Sequence, residues 1–202
     1  MRKKLYKSNG VKKATPADPL DMKDIKLLKA YFKKTNIRDW CLFTFNLNVG
    51  LRASDLLNLP QDLLIVNGEP VESFEIIESK TGKRRVIELN KGAQYALKLY
   101  YKKYAHKLKN TPYLFPSKTG KPLTLSSYDR ILREAGKAVE LPKTVTLSSH
   151  TARKTLGTTL FEKKVPIEVI QNLFMHSDPR TTLIYIDIYR KYAKAAYSKV
   201  NF

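Results

Sequence analysis

The sequence predicts a mainly α-helical α+β fold with a small three-stranded antiparallel β-sheet. Apolar residues recur at helical spacing through most of the chain, whereas residues 73–88 change to short β-type runs about a turn. The chain has 202 residues, of which 43% are hydrophobic, and this is enough to bury the core of one domain. We therefore expect a basic arm or linker at residues 1–17 and a single domain at residues 18–202.

The first part of this domain predicts three helices in succession. Asp21 is placed to cap the first helix, which runs through "MKDIKLLKAYFKK" with apolar residues at helical spacing. A second helix runs through "RDWCLFTFNLNV" and ends at Gly50, because glycine is the residue that most readily adopts a left-handed helix end. A short third helix is predicted from Arg52 to about Leu57.

The middle of the chain predicts the sheet, and the remainder returns to helices. Two runs, "SFEIIES" and "RRVIEL", are joined by "KTGK" as a hairpin, and "LLIV" before "NGE" is the third strand. The helical pattern resumes after residue 90 in five segments: "GAQYALKLYYKKYAHKL", "LSSYDRILREAGKAVE", "SHTARKTLGTTLFEKK", "PIEVIQNLFM" and the closing "TTLIYIDIYRKYAKAAYSKV".

The charge balance predicts a polyanionic partner. Lys and Arg number 38 against 18 Asp and Glu, a formal net charge of +20. A charge this large repels itself in the compact state, and here it is spread along the whole chain. Nucleic acid is therefore the partner we expect, although charge alone leaves ribosomal proteins and RNA-binding domains open.

Composition also excludes several classes. Cys41 is the only cysteine, which rules out an internal disulfide and a CxxC zinc site. The basic N-terminus is not followed by the apolar stretch of a secretory signal. The most apolar run, "WCLFTFNLNVGL", is interrupted by Asn46 and Asn48 and is too short to span a bilayer, so we expect a cytoplasmic protein with no membrane contact.

Two motifs place arginines at helix starts. In "GLRASDLLNL", Arg52 opens a helix and Asp55 follows at i+3, where its carboxylate can hold the guanidinium in one orientation. In "SHTARKT", Ser149 is a good N-cap, which places His150 and Arg153 in the first turn, where backbone N–H groups favour an anion. Each has a simpler alternative, namely a structural Arg–Asp pair and a solvated helix end.

Two further motifs carry a lysine and a tyrosine. In "ESKTGK", Lys80 enters a tight turn at Thr81-Gly82 and Lys83 follows it, although basic hairpin tips are usually only solvated turns. In "MHSDPRTTLIYIDIYRKY", His176 precedes Tyr185 by nine residues. Tyr189 and Tyr192 follow at i+4 and i+7, so all three tyrosines are also consistent with an apolar stripe in the core.

Taken together, the four motifs resemble the tyrosine recombinase (phage integrase) family. The order Arg-Lys-His-Arg-His-Tyr, the "GLRxSxL" and "HxxR" motifs and the histidine 23 residues after the second arginine all match the family pattern, over about residues 20–195. The chain departs from it at two positions. Met175 stands where the family usually has Gly, and Asp55 stands where it commonly has Glu.

The resemblance implies a role for each matching side chain. Arg52 and Arg153 would bind the scissile phosphate, and Tyr185 would attack it. His150 would act as the base, Lys80 would protonate the leaving oxygen, and His176 would hydrogen-bond a non-bridging oxygen. No metal or cofactor is implied, since the guanidiniums supply the positive charge. Asp55 would support the site, and the DNA contacts that we expect are Lys83, Arg84 and Lys154.

The resemblance also implies a function. Such an enzyme cuts and rejoins DNA through a 3′-phosphotyrosyl intermediate, and we expect integration or excision of a mobile element. The alternatives are a DNA inversion switch, a type IB topoisomerase-like activity or a catalytically silent DNA-binding regulator. A metal-dependent nuclease would need clustered carboxylates, and the one acidic cluster, Asp18/Asp21/Asp24, is explained by helix capping.

The family further implies how the chain is organised and assembled. Residues 18–202 correspond to the catalytic domain, with 186–202 as a C-terminal tail helix that packs either on a neighbouring protomer or on its own domain. We expect the family's N-terminal core-binding domain to be absent from this chain. The expected partner is double-stranded DNA with a specific target site. We expect the protein to be a monomer when free and to assemble into a homotetramer on this DNA.

Overall fold

The computed structural model describes residues 17–80 and 82–176, together with Thr182 and Tyr197. The predicted basic arm, apart from Ala17, and nearly all of the predicted tail helix lie outside these residues. None of the described helices is long and apolar enough to cross a membrane. The helices are α1 (Met22–Thr35), α2 (Ile37–Val49), α3 (Ala53–Leu57), α4 (Lys91–Leu108), α5 (Leu125–Ala138), α6 (Thr151–Glu162) and α7 (Ile167–Leu173).

Four short strands complete the described fold: β1 (Ile65–Val66), β2 (Glu69–Pro70), β3 (Ser73–Ile77) and β4 (Arg84–Glu88). They form two separate two-stranded antiparallel sheets, β1 with β2 and β3 with β4. The predicted class, mainly helical with a small antiparallel sheet component, is confirmed. The predicted third strand exists, but it pairs with β2 and does not join the β3–β4 hairpin.

The reason for this pairing is local. Asn67 and Gly68, which separate β1 from β2, both have positive φ values of 52° and 83°. Two consecutive positive φ angles are what a type I′ turn requires, and this turn folds a strand straight back on itself. The "NG" dipeptide therefore closes its own hairpin at β1, and the chain then continues from β2 into β3.

Helix α2 forms the centre of the molecule and packs against α1, α4 and α6. Its side chains are buried almost all round, among them Trp40, Phe43 and Phe45. The predicted cap of α1 is confirmed, because the Asp21 side chain accepts a hydrogen bond from the backbone N–H of Asp24 at 2.8 Å. A second, smaller cluster around Ile170 and Phe174 packs α7 against α6.

The segment that precedes α1 is attached to the start of α6. Asp18 exchanges two hydrogen bonds with the backbone of Thr146, at 2.9 and 2.8 Å. The N–H of Leu20 donates to the hydroxyl of Thr155 at 3.0 Å, and the ammonium of Lys154 donates to the carbonyl of Ala17 at 2.9 Å. Of the acidic cluster, Asp21 caps α1 as predicted, whereas Asp18 accepts a hydrogen bond from the N–H of Thr146, which lies outside any helix.

Gly50 ends α2 as predicted and turns the chain toward α3. Its φ is 60°, in the left-handed region, and its N–H donates to the carbonyl of Asn46 at 2.9 Å. A Cβ atom at this position would lie 2.6 Å from the side chain of Leu156 and 3.1 Å from Phe174. Position 50 therefore needs glycine both for its backbone angle and for the approach of α6.

We expect Gly50→Ala to lower the free energy of unfolding by about 2–4 kcal/mol, combining left-handed strain with overpacking. Gly120 is the matched control, since its φ is also positive, at 78°, but a Cβ there has no neighbour within 4 Å. Gly120→Ala should lower the free energy by only about 1 kcal/mol. Urea denaturation of both variants measures the difference, and equal losses would contradict the packing explanation.

Candidate active site

Arg153 connects three separate segments of the chain. Its side chain is almost fully buried, with the residue 2% exposed, and its guanidinium lies over the ring of Phe174 at 4.5 Å. One terminal nitrogen donates to the carbonyl of Gly50 and the other to the carbonyl of Phe174, each at 2.7 Å. These bonds tie α6 to the end of α2 and to the end of α7, and they fix the orientation of the guanidinium.

Arg52 lies just beyond Gly50 and is paired with a buried carboxylate. Its Nη1 hydrogen-bonds an oxygen of Glu78, a residue with no exposed surface. The other oxygen of Glu78 lies 3.6 Å from Nη1 of Arg85, which is itself buried and bonds the carbonyl of Val49 through Nη2 at 3.4 Å. Glu78 therefore lies between two guanidiniums.

The predicted ion pair between Arg52 and Asp55 is wrong. Arg52 is the N-cap of α3 and has extended backbone angles, so Asp55 does not follow it on one helical face. One oxygen of Asp55 instead accepts hydrogen bonds from the hydroxyl and the N–H of Ser79, the latter at 3.2 Å. Asp55 therefore holds Ser79 at the end of the β3–β4 hairpin, and Glu78 is the carboxylate that holds Arg52.

Lys80 stands in the exposed turn of this hairpin. The turn is closed by two backbone bonds, from the N–H of Glu78 to the carbonyl of Lys83 at 3.0 Å and from the N–H of Gly82 to the carbonyl of Glu78 at 2.8 Å. Desolvation and the charge of Arg153 are the larger causes that lower the pKa of His150 and of His176, and the Lys80 ammonium adds to them. The hairpin thus places Lys80 two residues after Glu78, the partner of Arg52, and its charge acts on both histidines.

His150 is the N-cap of α6, and the prediction that Ser149 caps this helix is wrong. The N–H of Ser149 donates to the carboxylate of Asp129 at 2.6 Å, and the hydroxyl of Ser148 accepts from the N–H of His150 at 3.3 Å. Desolvation and the charge of Arg153 lower the pKa of His150. The imidazole is therefore neutral at pH 7 and able to accept a proton.

His176 follows α7 and contacts Thr182 and Phe174. Its Nδ1 is 2.8 Å from the hydroxyl of Thr182, and its ring meets the edge of Phe174 with centroids 5.6 Å apart. Desolvation, then the charges of Arg153, Arg52 and Lys80, lower the pKa of His176 to about 4. His176 is thus neutral in the folded protein over the physiological range.

Met175, just before His176, adopts the left-handed backbone conformation for which the family usually has glycine. Its φ is 49°, a left-handed angle that favours glycine, and holding a residue with a side chain there costs about 1–2 kcal/mol. The turn is stabilised by Gln171, whose carbonyl accepts from the N–H of His176 and whose side chain donates to the His176 carbonyl, both at 3.1 Å.

The structure brings five of the six predicted residues into one region: Arg52, Lys80, His150, Arg153 and His176. The sixth, Tyr185, lies outside the described residues. Of the expected DNA contacts, Lys83 and Arg84 are exposed on the hairpin, with Arg84 3.6 Å from Glu75. Lys154 is half-buried and donates to the carbonyl of Ala17.

Sequence reasoning missed Glu78 and Arg85, although a signal for both was present. Along β3, Phe74, Ile76 and then Glu78 occupy alternate positions on the inner face, and β4 buries Arg85 between exposed neighbours. Charged residues at inward positions of two paired strands need partners of opposite charge. The alternation therefore predicts a buried ion pair here, but it does not identify Arg52 as the third member.

Comparison with known proteins gives a consistent family. The phage integrase family matches residues 19–191 of this chain. The probable integrase/recombinase YoeC of Bacillus subtilis (strain 168) is 34% identical over 177 residues, which are 87% of this chain and 92% of that protein. The tyrosine recombinase XerD of Caulobacter vibrioides is 34% identical over 154 residues, which are 73% of this chain and 48% of that protein.

Solved structures share the fold. The crystal structure of XerA recombinase has a TM-score of 0.71 at 20% identity, covering 91% of this chain and 66% of that chain. The Tn1549 transposon integrase in complex with transposon right end DNA has a TM-score of 0.69 at 20% identity, covering 85% and 62%. The chain thus spans nearly all of YoeC and about half of XerD. The resemblance inferred from the four motifs is confirmed.

We expect the ring of His176 to titrate near pH 4, well below the ordinary histidine value of 6.5. Since the folded state favours the neutral ring, stability is fully present above about pH 6.5 and falls as the pH is lowered toward about 4. NMR titration of the ring protons measures this pKa, and His176→Gln should reduce the slope of unfolding free energy in the same pH range. A measured pKa near 6.5 would contradict the packing of His176 beside the arginines.

Proposed function

Since this chain belongs to the phage integrase family, we propose that it is a tyrosine-type site-specific recombinase that breaks and rejoins DNA strands through Tyr185. The observation that carries the proposal is the convergence of five side chains from four separate segments. They are two guanidiniums, an exposed ammonium and two neutral imidazoles. This set suits phosphoryl transfer, because positive charge and proton carriers surround one space.

The guanidiniums of Arg52 and Arg153 meet the main difficulty of the reaction, which is charge. A phosphodiester is already anionic, and its pentacoordinate transition state concentrates more negative charge on the non-bridging oxygens. Guanidiniums stay charged and present several N–H donors in a fixed plane. Removing one such donor slows reactions of this kind roughly 100- to 1000-fold.

The covalent step keeps the energy of the broken bond. The phenol oxygen of Tyr185 attacks phosphorus, the bond to the 5′-oxygen breaks, and a 3′-phosphotyrosyl link forms. His150 takes the phenol proton, and Lys80 gives a proton to the leaving 5′-oxygen. A 5′-hydroxyl from a second strand reverses the step, so rejoining needs no external energy source.

Proton transfer to His150 is helped by its neutral state. A free tyrosine has a pKa near 10, so only about 0.1% is ionised at pH 7. The lowered pKa of His150 keeps its imidazole unprotonated in the free protein. Arrival of an anionic phosphate opposes the nearby positive charges and raises that pKa, which makes the ring a stronger base when substrate is bound.

The proposed partner is double-stranded DNA with a specific target site. The net charge of +20 supports it, and Lys83 and Arg84 lie exposed beside Lys80 on the hairpin. We further propose that residues 18–202 act as the catalytic domain, and that the chain is monomeric when free and tetrameric on DNA. Integration or excision of a mobile element is the role we propose, supported by the likeness to a transposon integrase.

We expect covalent capture of DNA by the wild-type chain and none by Tyr185→Phe, which lacks the attacking hydroxyl. The substrate is a nicked duplex that carries the repeat found in the DNA flanking the gene. After cleavage, the short fragment next to the nick diffuses away, so the strand cannot be rejoined. The covalent protein–DNA adduct therefore accumulates and is detected by denaturing gel electrophoresis. Tyr189→Phe and Tyr192→Phe are the matched controls and should still form the adduct. An adduct with Tyr185→Phe would refute the assignment of the nucleophile.

A further inference from the structure

Glu78 is a buried acidic residue beside the candidate active site, and the proposed chemical steps give it no role. Its carboxylate is completely buried at the end of β3 and contacts Arg52 on one side and Arg85 on the other. A buried carboxylate is unfavourable unless partners of opposite charge surround it. Arg85 is held in turn by the carbonyl of Val49, next to Gly50, which receives the bond from Arg153.

The backbone of the same residue shapes the lysine turn. The N–H of Glu78 donates to Lys83, and its carbonyl accepts from Gly82, so Glu78 closes the loop that contains Lys80. One residue thus holds Arg52 with its side chain and the Lys80 turn with its main chain. Any displacement of Glu78 would move both groups relative to the phosphate.

The contact leaves most of the Arg52 guanidinium available. Arg52 bonds Glu78 through Nη1 only, and within residues 17–80 and 82–176 its Nε and Nη2 have no hydrogen-bond partner. The Arg52 side chain keeps 16% of its surface exposed. A guanidinium is planar, so restraining one of its nitrogens limits the directions in which the remaining N–H groups point, and this favours the binding of a tetrahedral anion.

We propose that Glu78 is a positioning residue that orients Arg52 toward the scissile phosphate and couples it to the hairpin that carries Lys80. This inference rests on the proposed recombinase function and adds one residue to it. Glu78 does not touch the substrate. It acts through Arg52, so its removal should matter only while Arg52 is present.

The test is a double-mutant cycle on the single-turnover rate of covalent DNA capture at saturating DNA. We expect Glu78→Gln to slow capture roughly 10- to 100-fold, because a neutral amide weakens the charge-assisted hydrogen bond that orients Arg52, with little change in DNA affinity. Glu88→Gln is the matched control, because Glu88 is exposed on β4 of the same hairpin, and it should stay within about 2-fold of wild type. In an Arg52→Ala background, adding Glu78→Gln should slow capture by less than about a further 3-fold, since the contact between the two side chains is already lost.

Two results would overturn the proposal. One is a Glu78→Gln rate within 3-fold of the Glu88→Gln control, and the other is a double-variant loss equal to the product of the two single losses. A wild-type chain that forms no adduct would refute the recombinase function and this inference together. Capture by wild type and by Glu78→Gln at equal rates would refute the inference alone.

A second variant covers the case in which Glu78→Gln leaves Arg85 buried without a counter-charge and fails to fold. Glu78→Met combined with Arg85→Met removes both buried charges in favour of apolar side chains of similar length, a change that proteins often tolerate. This variant still lacks the anchor of Arg52. We expect it to fold, by circular dichroism, and to capture DNA roughly 10- to 100-fold more slowly. Capture at the wild-type rate would contradict the positioning role.

Discussion

The pair of hydrogen bonds from Arg153 to the carbonyls of Gly50 and Phe174 is the interaction on which the rest of the structure depends. A guanidinium buried this deeply is tolerated only when polar groups replace its water. Here the replacements come from two chain segments far apart in sequence, at the ends of α2 and α7. The same bonds therefore hold the helices together and fix the two chain segments that carry Arg52 and His176, each of which lies two residues beyond an accepting carbonyl. Because these two hydrogen bonds support both the fold and the candidate active site, we expect their loss to impair both stability and the geometry of the site.

Around this contact the chain concentrates positive charge and balances only part of it. Glu78 offsets Arg52 and Arg85, and Asp129 opposes the downward shift of the pKa of His150. Desolvation by burial, and then this excess positive charge, lower the pKa of both imidazoles and keep them neutral in the free protein. A site in this state is prepared for an anion, because binding one relieves repulsion among the cations. The electrostatics of the free protein thus favour the substrate class that the family comparison suggests.

Much of this could be predicted where the signal is local. Asp21 and Gly50 marked helix ends correctly, because caps depend on one or two residues. The motif spacing gave five residues that do converge. The errors concern pairings across the fold. The sequence pairs Arg52 with Asp55 and caps α6 with Ser149, whereas Arg52 pairs with Glu78 and the N–H of Ser149 donates to Asp129. Only tertiary packing brings these partners near. Tyr185 was identified through the family resemblance alone, since three tyrosines share its stretch.

The central claim, that the guanidiniums act on the charge of a single scissile phosphate, can be tested most directly by removing that charge from the DNA. A methylphosphonate at the scissile position is neutral, so its reaction develops less negative charge for Arg52 to stabilise. On an ordinary phosphodiester, Arg52→Ala should slow covalent capture by about 100-fold or more. On the methylphosphonate, Arg52→Ala should capture DNA less than about 10-fold more slowly than the wild-type protein does. An equal loss on both substrates would show that Arg52 does not act on the phosphate charge, and would contradict the assignment of this site.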